Sequence, residues 1–316
     1  NVIERKNDNR IEAKSAYQSE RYEKLSIALD NFNPNLDKNK FLKKFSFIKN
    51  YLDTSEFNGK PILTVSVRET LSDIYYRKDP KSEKIYTKGQ KLEGIDKSLD
   101  EGGITSNLQG INIFDNNINI LLNRFVSPLS STLATSYYKY YIMDTVMVGN
   151  NECIDLAFVP FNSQSYGFTG RLFVTTDGHF AIKKFLLNVP SNINLNFVDN
   201  LRITQEFKQM PDSTWVLDQE NTFINFYVIK GAQQLYAHQM RSYNNYDFST
   251  PPDSVFDVLG SNIVLESAIN QPDSFWVANR HVPLKEKENA LKDLLAELRK
   301  VPAFNVMIKT AEIFIS

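Results

Sequence analysis

From Tyr137 to Phe248 apolar and polar residues alternate in a series of short runs, each ended by Gly, Asn, Asp or Pro. Tyr137–Val148 stops at Gly149-Asn150-Asn151, Cys153–Val159 follows, and Gly170–Thr176 stops at Asp177-Gly178. Phe180–Val189 leads to Leu201–Lys208, which stops at Met210-Pro211-Asp212-Ser213; Trp215–Lys230 and Leu235–Tyr246 complete the series. Period-2 alternation places every second side chain on one face of a strand. An Asp-Gly pair between two such runs is a strong hairpin signal. The stretch is therefore predicted to be a meander of antiparallel strands.

The flanking regions mix the two periods. Leu25, Ile27 and Leu29 share one face of an extended segment, and Asn31–Asn35, with Pro34, reads as a turn. Phe41, Leu42, Phe45, Ile48 and Leu52 recur at helical spacing, which predicts an amphipathic helix over Leu36–Leu52. Ile62–Leu71 and Ile74–Arg77, a turn at Asp79-Pro80-Lys81-Ser82, and Glu83–Lys91 predict a second hairpin. Glu101-Gly102-Gly103 breaks the chain, Leu108–Phe125 reads as a helix, and Val126–Thr135 reads as a loop. After the stop at Ser249–Asp253, Lys285–Lys300 carries a helical stripe of Leu291, Leu294, Leu295 and Leu298. Together these predict an α+β fold: a large curved antiparallel sheet, half-barrel-like, with helices on its concave face and a C-terminal helical connector. The expected organisation is a leader or linker at 1–15, the sheet domain at 16–250, and a connector at 251–316. The start at Asn1, in place of Met, leads to the expectation of a processed or excised segment. Alternation through Phe304, Val306, Ile308, Ala311, Ile313 and Ile315 predicts that the natural chain runs on into another strand. A curved sheet closed by helices leaves a concave apolar face, a ready place for a ligand.

Composition narrows the chemistry. The net charge of −1 gives no electrostatic case for nucleic acid or for an anionic membrane surface. No apolar run approaches the ~18 residues of a membrane helix. The lone Cys153 excludes an internal disulfide and reads as a buried small hydrophobe. His179 reads as a solvated turn residue, His238 as a packed or surface strand residue, and His281 as a loop residue beside Arg280. Glu69, Asp73 and Asp155 read as solvated charges on sheet faces. No catalytic, metal or cofactor motif is present, so no cofactor, metal site or catalytic residue is expected. The aromatic strands stand out. Tyr138, Tyr140, Phe173, Phe223, Phe226 and Tyr227 are the candidate ligand-lining residues, with core packing as the alternative for each.

Several stretches, taken in order, resemble one family. They are Glu69-Thr-Leu-Ser-Asp-Ile-Tyr-Tyr-Arg77, Phe114-Asp-Asn-Asn-Ile118, Phe125-Val-Ser-Pro-Leu129, Tyr137–Asp144, Phe173-Val-Thr-Thr-Asp-Gly178, Phe275-Trp276 and Asn279-Arg280-His281-Val-Pro-Leu284. The resemblance, over roughly residues 15–300, is to an uncharacterised Gram-negative outer-membrane group. Its members look like a signal peptide, a carboxypeptidase-regulatory-like β-sandwich, a periplasmic domain of unknown function and a membrane β-barrel. The resemblance implies that this chain is the periplasmic domain, at the periplasmic face of the outer membrane, with the sandwich and the barrel of the same chain as partners. Lys285 stands where those relatives carry a Ser or Thr cap, which puts the start of the last helix in question. The element order is also similar, at fold level, to the periplasmic lipoprotein carriers. The expected function is a non-enzymatic module that binds a lipid, an acyl group or an envelope protein. The alternatives are a structural scaffold or plug for the barrel, and an envelope glycan or peptide hydrolase.

Overall fold

The computed structural model describes residues 1–31, 42–94, 110–190, 193, 195, 198–227 and 234–301. The strands are β1 (Ala16–Leu29), β2 (Leu52–Thr54), β3 (Pro61–Lys78), β4 (Lys81–Gly94), β5 (Asn117–Ile120), β6 (Asn123–Val126) and β7 (Tyr138–Val148). They continue with β8 (Asn151–Pro160), β9 (Thr169–Thr175), β10 (Ile182–Val189), β11 (Val198–Gln209), β12 (Trp215–Tyr227), β13 (Gln234–Asp247) and β14 (Asn262–Val264). Short helices are α1 (Val2–Arg5), α2 (Ala134–Tyr137), α3 (Asp273–Asn279), α4 (Glu286–Asn289) and α5 (Leu291–Arg299), with a 3-10 helix over Leu42–Tyr51. The expected turn at 31–35, the break at 101–103, strand residues 228–230 and the terminal alternation at 304–315 fall wholly or partly outside the described residues.

Twelve strands form one large, curved, open sheet in the order β14-β4-β3-β1-β13-β12-β11-β10-β9-β8-β7, with β2 paired to β3. All neighbours are antiparallel except β14 on β4. The meander from β7 to β13 matches the predicted runs, and the β3–β4 hairpin turns at Asp79-Pro80 as expected. β1 joins the two halves, pairing with β13 on one side and β3 on the other.

One face, here the inner face, is almost continuously apolar. Leu25, Ile27, Ile224, Leu201, Ile203, Leu187, Phe185, Leu172 and Phe158 lie on it and are buried. The 3-10 helix covers part of it with Phe45 and Ile48, and the segment 111–129 covers more with Ile113, Phe114, Ile118, Ile120, Phe125 and Leu129. The C-terminal elements cover the outer face at β1, β3, β4 and β13. Trp276 of α3 packs on Tyr22, Leu71 and Met240, while α5 turns Leu291, Leu294, Leu295 and Leu298 into the main core. The predicted C-terminal helix is broken at Ala290 (φ −78°, ψ 0°). Its start is secured without a Ser or Thr: Glu288 accepts a hydrogen bond from the Lys285 N–H at 2.9 Å, the carboxylate half of a capping box.

Over its described residues, 110–125, the helix expected over Leu108–Phe125 is not there. Residues 117–126 form the β5–β6 hairpin, with Ile118 opposite Phe125. The apolar positions 111, 113, 118 and 120 fit alternation as well as helical spacing, and Asn at 112, 116, 117, 119 and 123 tips the balance against a helix. Its two-residue turn holds Leu121 at φ 48° and Leu122 at φ 68°, values that favour Asn or Gly. Leu122 is 92% exposed, so its side chain returns little packing for the strain. Leu122→Gly is expected to raise stability by about 0.5–1 kcal/mol. Urea unfolding should show a higher midpoint at an unchanged slope; a lower midpoint would mean that Leu122 is not strained.

A candidate binding cavity on the inner face

Alternation assigns each of the six aromatic candidates to a face, and it divides them. Tyr138, Tyr140 and Phe226 point to the inner face, where they join the core. There the Tyr138 hydroxyl donates to Val126 O at 2.6 Å and accepts from Phe168 N at 3.1 Å, and the Tyr140 hydroxyl donates to Pro128 O at 2.7 Å. The two tyrosines therefore tie the covering segment to the sheet. Phe173, Phe223 and Tyr227 face outward. Phe223 stacks on His238 at 4.3 Å between ring centroids, and Phe173 is half-buried opposite Asp155. None of the six lines the two cavities described below.

The expectation of solvated carboxylates is corrected at two positions. Glu69 is buried, accepting from Arg280 Nε (2.6 Å), Arg280 Nη2 (2.7 Å) and the Tyr22 hydroxyl (2.6 Å). Asp155 is buried and bound to Arg171 at 2.8 Å. Sequence alternation says which face a carboxylate takes but not what later segment covers it. Asp73 is half-buried and paired with Lys88 at 2.6 Å. Cys153 is fully buried, and burial pushes its thiol up, as fits a small hydrophobe.

Of the three histidines, His179 lies exposed in its turn and His281 contacts Glu20 at 3.1 Å. His238 is buried on the outer face, with Nε2 2.8 Å from Asn221 Oδ1. Burial pushes its imidazole down to about 4; Glu56 and Glu288 oppose this, while Lys285 and Lys24 reinforce it. An unfolded histidine titrates near 6.5, so the unfolded chain takes up this proton first as pH falls. The contribution is complete above about pH 6.5 and is lost between about 6.5 and 4, by up to about 3 kcal/mol. His238→Gln is expected to flatten this part of the stability–pH curve relative to wild type. Superimposable curves would mean that His238 does not titrate differently on folding.

The inner face changes character at one end. Across four strands, directly opposed residues are Glu23 on β1, Arg241 on β13, Glu220 on β12 and Gln205 on β11. This polar row runs across a face that is apolar on the same strands at Leu25, Ala237, Ile224 and Ile203. Arg241 donates through Nε to Glu23 at 2.6 Å and through Nη1 to Glu220 at 2.5 Å. Gln205 donates to Glu220 and, at 2.8 Å, to Ile111 O. Burial alone would push the Glu23 carboxyl up, but the Arg241 guanidinium holds it below the usual carboxylate range. Arg241 is held firmly protonated against its own burial by Glu23 and Glu220.

This row borders a cavity of about 630 Å³, within the range of small-molecule sites. Its polar wall includes Arg21, Glu23, Glu83, Glu220, Gln239 and Arg241, and its apolar wall includes Ile74, Phe114, Phe207, Trp215 and Leu217. Three buried polar atoms of lining residues, Arg21 Nε, Gln239 Oε1 and Trp215 Nε1, have no hydrogen-bond partner. Buried polar groups are normally paired, so orphans along one cavity mark a place where a partner is due. A second, smaller cavity of about 260 Å³ lies between β3 and α3–α5. Among the described residues no cluster of three or more His, Cys, Asp or Glu side chains is placed to hold a metal ion. No helix among them is long and apolar enough to cross a membrane.

The sequence did carry a signal for this site. In β1, β11, β12 and β13 a charged or amide residue stands in phase with the apolar positions: Glu23 before Leu25, Gln205 after Ile203, Glu220 before Thr222 and Ile224, and Arg241 after Ala237 and Gln239. A polar residue in the buried phase of four strands is a site signal, and aromatic content did not point to it.

The chain is similar to several solved structures. One is a DUF1329 family protein from Desulfovibrio piger (14% identity, TM-score 0.32, covering 81% of this chain and 94% of that one). Another is a putative outer membrane lipoprotein-sorting protein domain from Vibrio parahaemolyticus (9% identity, TM-score 0.29, covering 80% and 93%). A third is a LolA superfamily protein from Nitrosomonas europaea (10% identity, TM-score 0.27, covering 81% and 96%). No curated protein matches the chain. Residues 1–246 match the model of a family of unknown function, DUF5686, and the chain belongs to that family.

Proposed function

We propose that this domain is a non-enzymatic binding module that takes an amphiphilic ligand in the inner-face cavity. The carrying observation is the mixed lining: aromatic and aliphatic side chains border the same cavity as charged side chains and unpaired polar atoms. A purely apolar ligand would leave those atoms unpaired, and most of the apolar inner face is already filled by the chain's own Phe45, Ile113, Phe114 and Phe125. Glu23 and Glu220 both line this cavity, where a hydrolase would need a pair of carboxyl groups. Arg241 bridges them and holds Glu23 below the usual carboxylate range, the opposite of the raised carboxyl a general acid needs.

The motif order described above supports a place at the periplasmic face of the outer membrane, between a β-sandwich and a barrel. In that setting the bound amphiphile is a lipid or a lipid-modified partner. The test is mass spectrometry of an organic extract of the purified domain, with displacement of a fluorescent apolar probe. A stoichiometric amphiphile, or saturable probe binding lost in Leu217→Trp, is the expected result. A clean extract with no probe binding defeats the reading.

One observation favours a second reading, a scaffold for the barrel. The sheet ends at β7, whose outer edge is unpaired among the described strands and bears exposed Tyr141, Ile142, Met143 and Met147. Such an edge is a template for another strand. Barrel assembly unaffected by removal of the domain would dismiss this reading.

A further inference from the structure

Within the cavity two opposite charges stand apart. Arg21 on β1 and Glu83 on β4 both line it. Among the described residues the Arg21 guanidinium forms no ion pair, and its buried Nε has no hydrogen-bond partner. The Glu83 carboxylate likewise forms no hydrogen bond or ion pair there; desolvation pushes it up, and the Arg21 charge opposes this without touching it. The other cavity charges are committed: Arg241 to Glu23 and Glu220, and Glu12 to Arg10 and Asn112.

The register fixes where the two free charges sit. Arg21 lies opposite Ser72 on β3, and Glu83 lies opposite Tyr76 on the same strand. Four residues along the strands and two strand spacings across put their Cα atoms roughly 16 Å apart. Both belong to the inner face, so their side chains border the same space without meeting. Between them Tyr17 lines the cavity and stacks on Tyr76 at 4.9 Å, an aromatic surface beside Glu83 that suits a cation. Trp215 Nε1, on a side chain that is 4% exposed, is a second unsatisfied donor lining the cavity. Arg21 thus offers a donor on β1, and Glu83 an acceptor carboxylate beside aromatic rings on β4.

We propose that the cavity selects a zwitterion, an ammonium and a phosphate or carboxylate joined by a short linker, with the anionic group at Arg21 and the ammonium at Glu83. This rests on the amphiphile reading above and names its head group. Each free charge gains an opposite partner, and the fixed row of Glu23, Arg241 and Glu220 stands next to Arg21, on the side away from Glu83.

The test compares single-chain ligands of one acyl length, each below its micelle concentration. Lysophosphatidylethanolamine carries both charges, lysophosphatidic acid only the anion, and an alkylamine only the cation. Free phosphoethanolamine carries the head group without a chain. Wild-type protein is expected to bind the zwitterion at least tenfold tighter than either singly charged ligand by isothermal titration. Glu83→Gln is expected to abolish the preference over the anion while leaving anion binding intact. Arg21→Gln is expected to weaken zwitterion and anion alike by about tenfold. Neither side chain is in an ion pair, so neither change threatens the fold. Binding of free phosphoethanolamine at similar strength would point to a soluble ligand; binding only with the chain attached would point to a lipid. Equal affinity for all three chained ligands overturns the zwitterion assignment and leaves the amphiphile reading standing. No binding of any of them overturns both.

Discussion

Arg241→Met is expected to destabilise the domain by about 3–5 kcal/mol, because it leaves the buried Glu220 and the half-buried Glu23 without their shared cation. Glu23 and Glu220 both depend on this guanidinium, and Glu220 is 1% exposed. At the depth of Glu220 water replaces a lost partner poorly, and the two carboxylates would also repel each other. A domain stability of 5–15 kcal/mol makes this a large fraction of the whole. In urea the midpoint should fall at an unchanged slope. Adding Glu23→Gln and Glu220→Gln to Arg241→Met should restore most of the loss, since a neutral row of similar volume no longer carries the desolvation penalty. The wild-type row should also be acid-sensitive. Glu23 titrates lower in the folded chain than in the unfolded one, so its contribution is present above the ordinary carboxylate range and is lost as pH falls through the folded value. An Arg241→Met variant within about 1 kcal/mol of wild type would show that the row is hydrated and that the cavity is wider than described.

Trp276→Ala is expected to cost about 3–5 kcal/mol and to loosen the C-terminal cover of the outer face. Trp276 is 1% exposed and packs on Tyr22, Leu71 and Met240. The sheet accommodates the ring through Gly89, where a Cβ would lie 2.7 Å from Phe275 Cε1 and 3.2 Å from Trp276 Cη2. Two buried ion pairs close the same cover from either side: Arg280 on Glu69, and Lys24 on Glu288 at 2.6 Å. Hydrogen exchange should show residues 273–299 losing protection together, with β9 to β12 largely unaffected. Uniform loss across the sheet would mean that this segment is an integral part of the cooperative core and not a separable cover.

The strands of the meander were legible because alternation and turn chemistry are local. Asp177-Gly178 and Gly149-Asn150 sit between strands as read, with Gly149 at φ 61° and Gly178 at φ 85°. The leucine stripe of the last helix was legible for the same reason. The 117–126 hairpin was not, because a handful of isoleucines and asparagines satisfies two periods and only packing against Phe168 and the tyrosines chooses between them. For the site, the aromatic residues marked strands but not a cavity, since strands favour aromatic side chains wherever they pack.

By itself the sequence determined the inward and outward phase of each strand, the hairpin turns and the class of the fold, all properties of neighbours a few residues apart. Only the tertiary structure decided which strands lie side by side. By placing β1 between β13 and β3 it brings Glu23 within 2.6 Å of Arg241, 218 residues away. Register between distant strands comes from burying whole faces together, a sum over the sheet that no local pattern carries. The cavity, its unpaired Arg21 and Glu83, and the buried Glu69 all follow from that placement.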